Sequence, residues 1–388
     1  MSYCDIICGE ALAELRKLPP DSAHACVTDP PYGLKFMGKD WDRGVPGSAY
    51  WAEALRVCRP GAHLLAFGGT RTFHRLACAI EDAGWEIRDT LMWVYGSGFP
   101  KSLDVGKAFD KAAGAKGEVV GVQKVDVGMQ SGHMHSGRRS EVVEREVRAP
   151  ATDEAREWRG WGTALKPAWE PILLARRPLD GTVVENVRKW GCGALNVDGC
   201  RVGEESTVRT RRDSLSASGW ASVNRSPVGG SEAGRWPANV VHDGSEEVLA
   251  GFPRTRSGSD TVKRESGADR DGNRGAAYGA ESRPAGSPMV FYGDEGSAAR
   301  FFYCAKPSPS EREGNPHPTV KPLALMEWLL RLVSREGDTV VDPFAGSGTT
   351  GVAAYRLGRN AVLIDKSRAD YETMKARMAK AGAALEPI

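Results

Sequence analysis

The chain has 388 residues, of which 41% are hydrophobic and 26% charged, with a formal net charge of +2. That is the composition of a soluble globular protein with a substantial core, organised as one large domain with an insertion or as two domains. Eight scattered cysteines without a C-x-x-C pair, no basic-then-apolar leader and no apolar run near the roughly 20 residues that span a bilayer exclude a secreted disulfide scaffold and a membrane-spanning protein.

A cytoplasmic location with reduced thiols is therefore expected, and no membrane partner. Cys192, Cys200 and His242 have no common zinc spacing, so no metal is expected. The small net charge decides little, because a nucleic-acid enzyme need be basic on one face only.

Residues 1–100 read as alternating strand and helix. Tyr3–Cys8 is a short apolar run. Ala11–Leu18 has helical spacing that Pro19-Pro20 ends. Ala23–Thr28 is a second apolar run, stopping at Asp29-Pro30-Pro31-Tyr32. Tyr50–Val57 reads as a helix, His63–Phe67 as a strand, Arg71–Ala83 as a helix and Trp85–Tyr95 as a strand pair. Short apolar strands separated by helices imply a parallel sheet covered on both faces.

Periodicity degrades between about 107 and 165, where a long surface excursion is expected; His133 and His135 read as loop residues. Pro171–Ala175 reads as a buried strand. From about 178 to 300 Gly, Ser and Arg dominate. Trp220 and Trp236 in this stretch read as anchors of a small core. Periodicity returns at Ala298–Ala305. A clear unit follows: helix Leu323–Val333, strand Asp338–Val341, glycine turn Phe344–Gly348, helix Thr349–Leu357 and strand Asn360–Ile364, ending at Asp365.

The glycines of the turn let backbone approach a ligand, and the helix start offers free N–H groups. An acid at the end of the next strand can accept hydrogen bonds from ribose hydroxyls. A nucleoside-containing cofactor is indicated. Gly346-x-Gly348-x-x-Gly351 also matches a dinucleotide fingerprint, which keeps a nicotinamide-dependent oxidoreductase as a distant alternative.

Asp29-Pro30-Pro31-Tyr32 suits a particular chemistry. An exocyclic amino group is a poor nucleophile because its lone pair conjugates with the ring. A carboxylate and a carbonyl accepting its two N–H bonds favour a pyramidal nitrogen and stabilise the charge that grows on it. Asp29 can supply the carboxylate and Pro30 the carbonyl, on a backbone stiffened by Pro31. Tyr32 offers a face for stacking, and the base must leave the duplex to reach it.

Together the two motifs resemble the DNA amino-methyltransferase family that acts on adenine or cytosine. The order is that of its permuted beta class: Asp-Pro-Pro-Tyr, a long variable region, then Asn315-Pro316-His317-Pro318-Thr319-Val320-Lys321-Pro322 before the glycine turn. Tyr95–Ser102 and Gly160–Pro171 resemble a subgroup common in phages and bacterial genomes. The resemblance implies an α/β, Rossmann-like, seven-stranded methyltransferase sheet, circularly permuted, with an inserted target-recognition region.

Its implied organisation is a catalytic half at 1–106, a surface insertion at 107–159, a return strand at 160–178, a target-recognition region at 179–300 and a cofactor-binding half at 301–388. The implied cofactor is S-adenosyl-L-methionine, held by Asp342, Phe344, Ala345, Gly346, Ser347, Gly348, Thr349, Asp365, Thr319 and Lys321. Lys321 is expected to pair with the cofactor's carboxylate. Glu10 stands where many relatives carry Asp.

The expected function is methylation of the adenine amino group in double-stranded DNA by base flipping. Cytosine N4 methylation is the alternative, disfavoured because relatives acting on cytosine more often begin the turn with Ser. Lys35, Lys39, Arg209, Arg211, Arg212 and Arg225 are the expected DNA contacts. A homodimer and a cognate restriction nuclease stay open.

Overall fold

In a computed structural model of the protein, the described residues are 3–34, 44–98, 100, 102–126, 142–203, 209–212, 225–229, 234–256, 295–306 and 320–382. Lys35, Lys39, His133, His135, Trp220 and Thr319 lie outside them. The strands are β1 (Cys4–Cys8), β2 (Ala23–Thr28), β3 (Cys58–Phe67), β4 (Glu86–Val94), β5 (Val119–Asp126), β6 (Val142–Arg148), β7 (Trp169–Arg176), β8 (Arg209–Arg212), β9 (Arg225–Gly229), β10 (Val240–His242), β11 (Arg254–Arg256), β12 (Glu295–Ser297), β13 (Tyr303–Cys304), β14 (Thr339–Asp342) and β15 (Asn360–Asp365). The helices are α1 (Ala11–Lys17), α2 (Ser48–Val57), α3 (Phe73–Asp82), α4 (Val105–Ala112), α5 (Asp153–Glu157), α6 (Val183–Trp190), α7 (Glu246–Gly251), α8 (Leu323–Val333), α9 (Thr349–Arg356) and α10 (Arg368–Lys380).

Nine strands form the main sheet in the order β1-β15-β14-β2-β3-β7-β4-β10-β13. The first seven are the expected methyltransferase sheet, and two short strands extend it beyond β4. The sheet is mostly parallel, with one departure from the sequence reading. β7 runs antiparallel to both β3 and β4, pairing Phe67 with Ile172 and Val94 with Trp169. Its amino-terminal end therefore lies beside the carboxyl ends of its neighbours. The expected strand pair over 85–95 is one strand, β4, paired with β7 on one side and β10 on the other; burial alternates toward its end because successive side chains face opposite sides of the sheet.

The core explains why these segments take these forms. From Ala25 to Thr28 β2 is fully buried, and the inner residues of β14 and β15 are apolar and buried. Such strands need cover from helices. α1, α2 and α3 pack together over a core containing Leu15, Trp51, Leu76, Ile80 and Trp85. The Trp85 indole N–H donates to the Trp51 carbonyl at 2.9 Å, so the largest ring is buried without an orphan donor. α8, with eight buried residues, packs on α9 and against β2 and β3.

The chain forms two compact units, one of Met1–Gly199, Asn239–Val248 and Cys304–Ile388, the other of Cys200–Ala238 and Leu249–Tyr303. Parts of the expected recognition stretch thus belong with the sheet: α6 packs on β3, and β10 pairs with β4. Within the surface excursion, β5 and β6 form an antiparallel hairpin that exposes Val120, Val122 and Val147.

In the smaller unit β8 pairs with β9, placing Arg212 opposite Arg225, and β11 pairs with β12. Trp236 is 67% exposed rather than a core anchor, with the Arg201 guanidinium 5.6 Å from its ring.

Candidate active site

Two turns meet at the carboxyl ends of adjacent strands. β14 pairs in parallel with β2, Val340 opposite Ala25 and Val341 opposite Cys26. The turns that leave them, at Asp29 and at Pro343, therefore start side by side, where ligands bind in open α/β sheets. Both line one cleft of about 580 Å³.

The glycine turn is held mostly by nearby residues. Asp342 is buried, and its carboxylate accepts from Thr28 Oγ1 at 2.6 Å, Thr350 Oγ1 at 2.6 Å and the Phe344 amide at 3.1 Å. Burial pushes its pKa up to about 7, against those hydrogen bonds. Asp342 thus holds the turn to β2 and α9, and its carboxylate is occupied by protein groups. Asp365 accepts the Gly346 amide at 2.9 Å and the Ser367 amide at 2.8 Å. Arg377 of α10 donates to the Ser347 carbonyl at 2.7 Å and to the hydroxyls of Ser347 and Thr349, both at 3.0 Å.

The glycines divide their work. Gly346 and Gly348 have φ of 51° and 79°, a left-handed backbone that other residues adopt at a cost. A Cβ on Gly348 would lie 2.7 Å from Met374 Cγ, and one on Gly351 would lie 2.4 Å from Leu363 Cδ1. These two serve the packing of α9 against α10 and β15. Of the residues expected to hold the cofactor, Lys321, Asp342, Phe344, Ala345, Gly346, Ser347, Thr349 and Asp365 line the cleft, and Gly348 packs behind them against Met374.

The Asp29 turn is held from afar. The Tyr32 carbonyl accepts from Thr72 Oγ1 at 2.6 Å. The Tyr32 hydroxyl donates to Asp29 Oδ1 at 2.8 Å and lies 3.1 Å from Glu170 Oε2. Lys321, just before α8 and 8% exposed, places Nζ 2.9 Å from Asp29 Oδ2, 3.1 Å from Glu170 Oε2 and 3.0 Å from the Tyr32 hydroxyl. Burial pulls the Lys321 pKa down, but the two carboxylates outweigh it and hold the ammonium well above its ordinary range. Burial and the same carboxylates push the Tyr32 phenol well up, so it stays a neutral donor. In the structure the partners of Lys321 are Asp29 and Glu170. An ammonium beside two carboxylates already has its counter-charge.

Other cleft residues were not singled out from sequence. Glu170 stands at the start of β7, inside the Gly160–Pro171 motif, which was the only signal for it. Trp93 and Tyr95 line the cleft with ring centroids 5.1 Å apart. Tyr50 donates to Glu10 at 2.7 Å and packs against Phe344. Burial raises the Glu10 pKa, but the Tyr50 bond, the amides of Ala13 and Leu12 and the charge of Lys366 outweigh it and leave it below the usual range.

Residues 23–376 match the N6/N4 DNA methylase family. The chain belongs to this family. Methyltransferase M.HindIII of Haemophilus influenzae is 20% identical over 93% of this chain and 91% of its own length. M2.LlaDCHI of Lactococcus lactis subsp. cremoris is 42% identical over 71 residues, a match that spans 18% of this chain and 26% of that relative. Among solved structures, the M1.HpyAVI complex with S-adenosylmethionine covers 97% of this chain and 99% of its own, at 15% identity and a TM-score of 0.41. The cytosine-N4-specific PvuII methyltransferase covers 97% of this chain and 86% of its own, at 12% identity and a TM-score of 0.43.

The cofactor of this DNA methylase family is S-adenosylmethionine. The cleft suits it. Its volume falls within the range of small-molecule sites, Asp365 and the Phe344 ring flank the glycine turn, and carboxylates are available to a sulfonium. The nicotinamide reading of the glycine pattern falls with the family assignment, and Gly351 owes its place to packing on Leu363. Among the described residues no helix is long and apolar enough to cross a membrane.

Proposed function

We propose that this DNA methylase transfers a methyl group to the exocyclic amino group of adenine in double-stranded DNA. The observation that carries the reading is that Asp29, Pro30 and Tyr32 share one cleft with the Phe344–Ser347 turn and Asp365. S-adenosylmethionine supplies an electrophilic methyl on a positively charged sulfur. The Gly346 turn and the Phe344 ring would hold its nucleoside end, and Asp365 would accept from the ribose hydroxyls.

Asp29 and the Pro30 carbonyl accept hydrogen bonds from the two amino N–H groups of an extruded base. This turns the nitrogen lone pair toward the methyl group and stabilises the positive charge that develops. Tyr32 keeps Asp29 oriented through its hydroxyl and offers its ring to the base. Asp at position 29, where cytosine-specific relatives more often carry Ser, favours adenine. The test is digestion and base-resolved sequencing of DNA from cells expressing the protein. N6-methyladenine in one sequence context is expected; N4-methylcytosine would overturn the choice of base, and unmodified DNA the function.

The smaller unit is proposed as the sequence reader, with Arg209, Arg211, Arg212 and Arg225 on the β8–β9 hairpin contacting DNA. Lys35 and Lys39, just after the catalytic turn in sequence, are proposed to contact the flanking backbone. Replacing the four arginines by alanine is expected to weaken DNA binding about tenfold or more and flatten its salt dependence. An unchanged salt slope in DNA titrations would remove the hairpin from the interface.

A further inference from the structure

The Asp29 turn contains a charge balance that methyl transfer by Asp29 does not by itself require. Lys321 is buried, and its ammonium lies within 3.1 Å of a carboxylate oxygen on each of Asp29 and Glu170. Paired with Asp29 alone, Lys321 would make the catalytic turn electrically neutral. The Asp29 carboxylate would then be spent on the ammonium, leaving the pair no net negative charge to set against the positive charge that develops on the substrate nitrogen. Glu170 reverses that. With both carboxylates ionised, the Asp29–Lys321–Glu170 cluster carries one net negative charge.

The position of Glu170 is deliberate in topological terms. A strand parallel to its neighbours would present its carboxyl end here. β7 runs the other way, and only for that reason does its second residue reach the carboxyl ends of β3 and β4. Glu170 Oε2 also lies 3.1 Å from the Tyr32 hydroxyl, whose neutral phenol adds no charge to the cluster.

The geometry points to Glu170 as a residue that tips this cleft toward a cationic cofactor over its neutral product, by leaving the Asp29–Lys321 pair with a surplus carboxylate. This rests on the methyltransferase reading above. The reaction exchanges a fixed positive charge on sulfur for a neutral thioether, and the sulfonium cannot titrate. A partly buried negative site is weakly screened and holds the cation more strongly than the spent, uncharged molecule. Glu170 thereby favours loading of S-adenosylmethionine and release of S-adenosylhomocysteine, a step that limits turnover in many enzymes. Glu170 is a positioning and charge-setting residue; the amino hydrogens remain with Asp29.

The test is calorimetric titration of the protein with three ligands: S-adenosylmethionine, the amine analogue sinefungin, which carries its positive charge on nitrogen, and neutral S-adenosylhomocysteine. The wild type is expected to bind both cations more tightly than the thioether. Glu170→Gln is expected to weaken both cations about tenfold and to leave the thioether within about twofold, since only the ion's share of the binding changes. Glu170→Asp is expected to restore the preference. The other charged groups of the cleft, Glu10, Asp342, Asp365, Lys366 and Asp370, are the same in all three proteins.

Equal weakening of all three ligands in Glu170→Gln, or no change in any, would overturn the assignment. So would a wild type that binds the thioether as tightly as the two cations, a measurement that needs no variant to fold. A wild type that binds none of the three would instead overturn the methyltransferase reading itself.

Discussion

The two turns of the cleft are built in opposite ways. Most partners of the glycine turn lie within 30 residues, Phe344 and Thr350 on Asp342, Gly346 and Ser367 on Asp365 and Arg377 on Ser347, with Thr28 of β2 the distant exception. The Asp29 turn takes its partners from three distant places: Thr72, Glu170 and Lys321. A locally tied turn can be recognised as a string of residues. A turn whose charge depends on side chains more than a hundred residues away cannot.

The difference also separates what each turn does under substitution. The largest effect is expected at Asp29. Asp29→Ala should lower turnover at least about 100-fold, because the lost acceptor acts mainly on the transition state. S-adenosylhomocysteine should keep its affinity, since the glycine turn is untouched. Turnover within a few-fold of the wild type would remove Asp29 from the chemistry and break the division of labour between the turns.

A smaller effect, and on stability, is expected at the glycine turn. Gly348→Ala must adopt a left-handed backbone and push against Met374. It should cost about 2 kcal/mol or more of unfolding free energy. The mutant should melt several degrees lower yet, once folded, bind cofactor. Unchanged stability with lost binding would show that Gly348 faces the ligand after all.

A further effect is a pH dependence. The folded pKa of Asp342, about 7, lies above its ordinary value of 3.8. The stability it contributes as a neutral acid is therefore complete below about pH 4 and is lost as pH rises through 7, at no more than about 1.4 kcal/mol per pH unit. Denaturation of Asp342→Asn between pH 5 and 8 should show a flatter profile than the wild type. Parallel profiles would mean that Asp342 does not change its protonation state on folding.

Much of the fold was legible because its strands are short apolar runs broken by strong punctuation. Pro19-Pro20 ends α1, Asp29-Pro30-Pro31 ends β2, and the glycines of 346–351 mark the passage from β14 to α9. What stayed hidden was direction and company. Pro171–Ala175 reads as a buried strand whichever way it runs, so a parallel sheet was the natural expectation. Lys321 in its Thr-Val-Lys-Pro string reads as an anchor for an anionic ligand, because nothing near it in sequence is acidic. Trp236 reads as core because tryptophan is costly to expose, and the cation over its ring is 35 residues away at Arg201.

The amino-acid sequence by itself determined the strand–turn–helix units, the order of the two motifs and the chemistry their residue types can perform, since each depends on neighbours along the chain. Only the tertiary structure decided that β7 runs antiparallel, that Glu170 thereby joins Asp29 and Lys321, and that the cleft carries a net negative charge. Strand direction is set by how the whole sheet closes its hydrogen bonds and buries its faces, and electrostatic balance depends on distances in space that spacing in sequence does not encode.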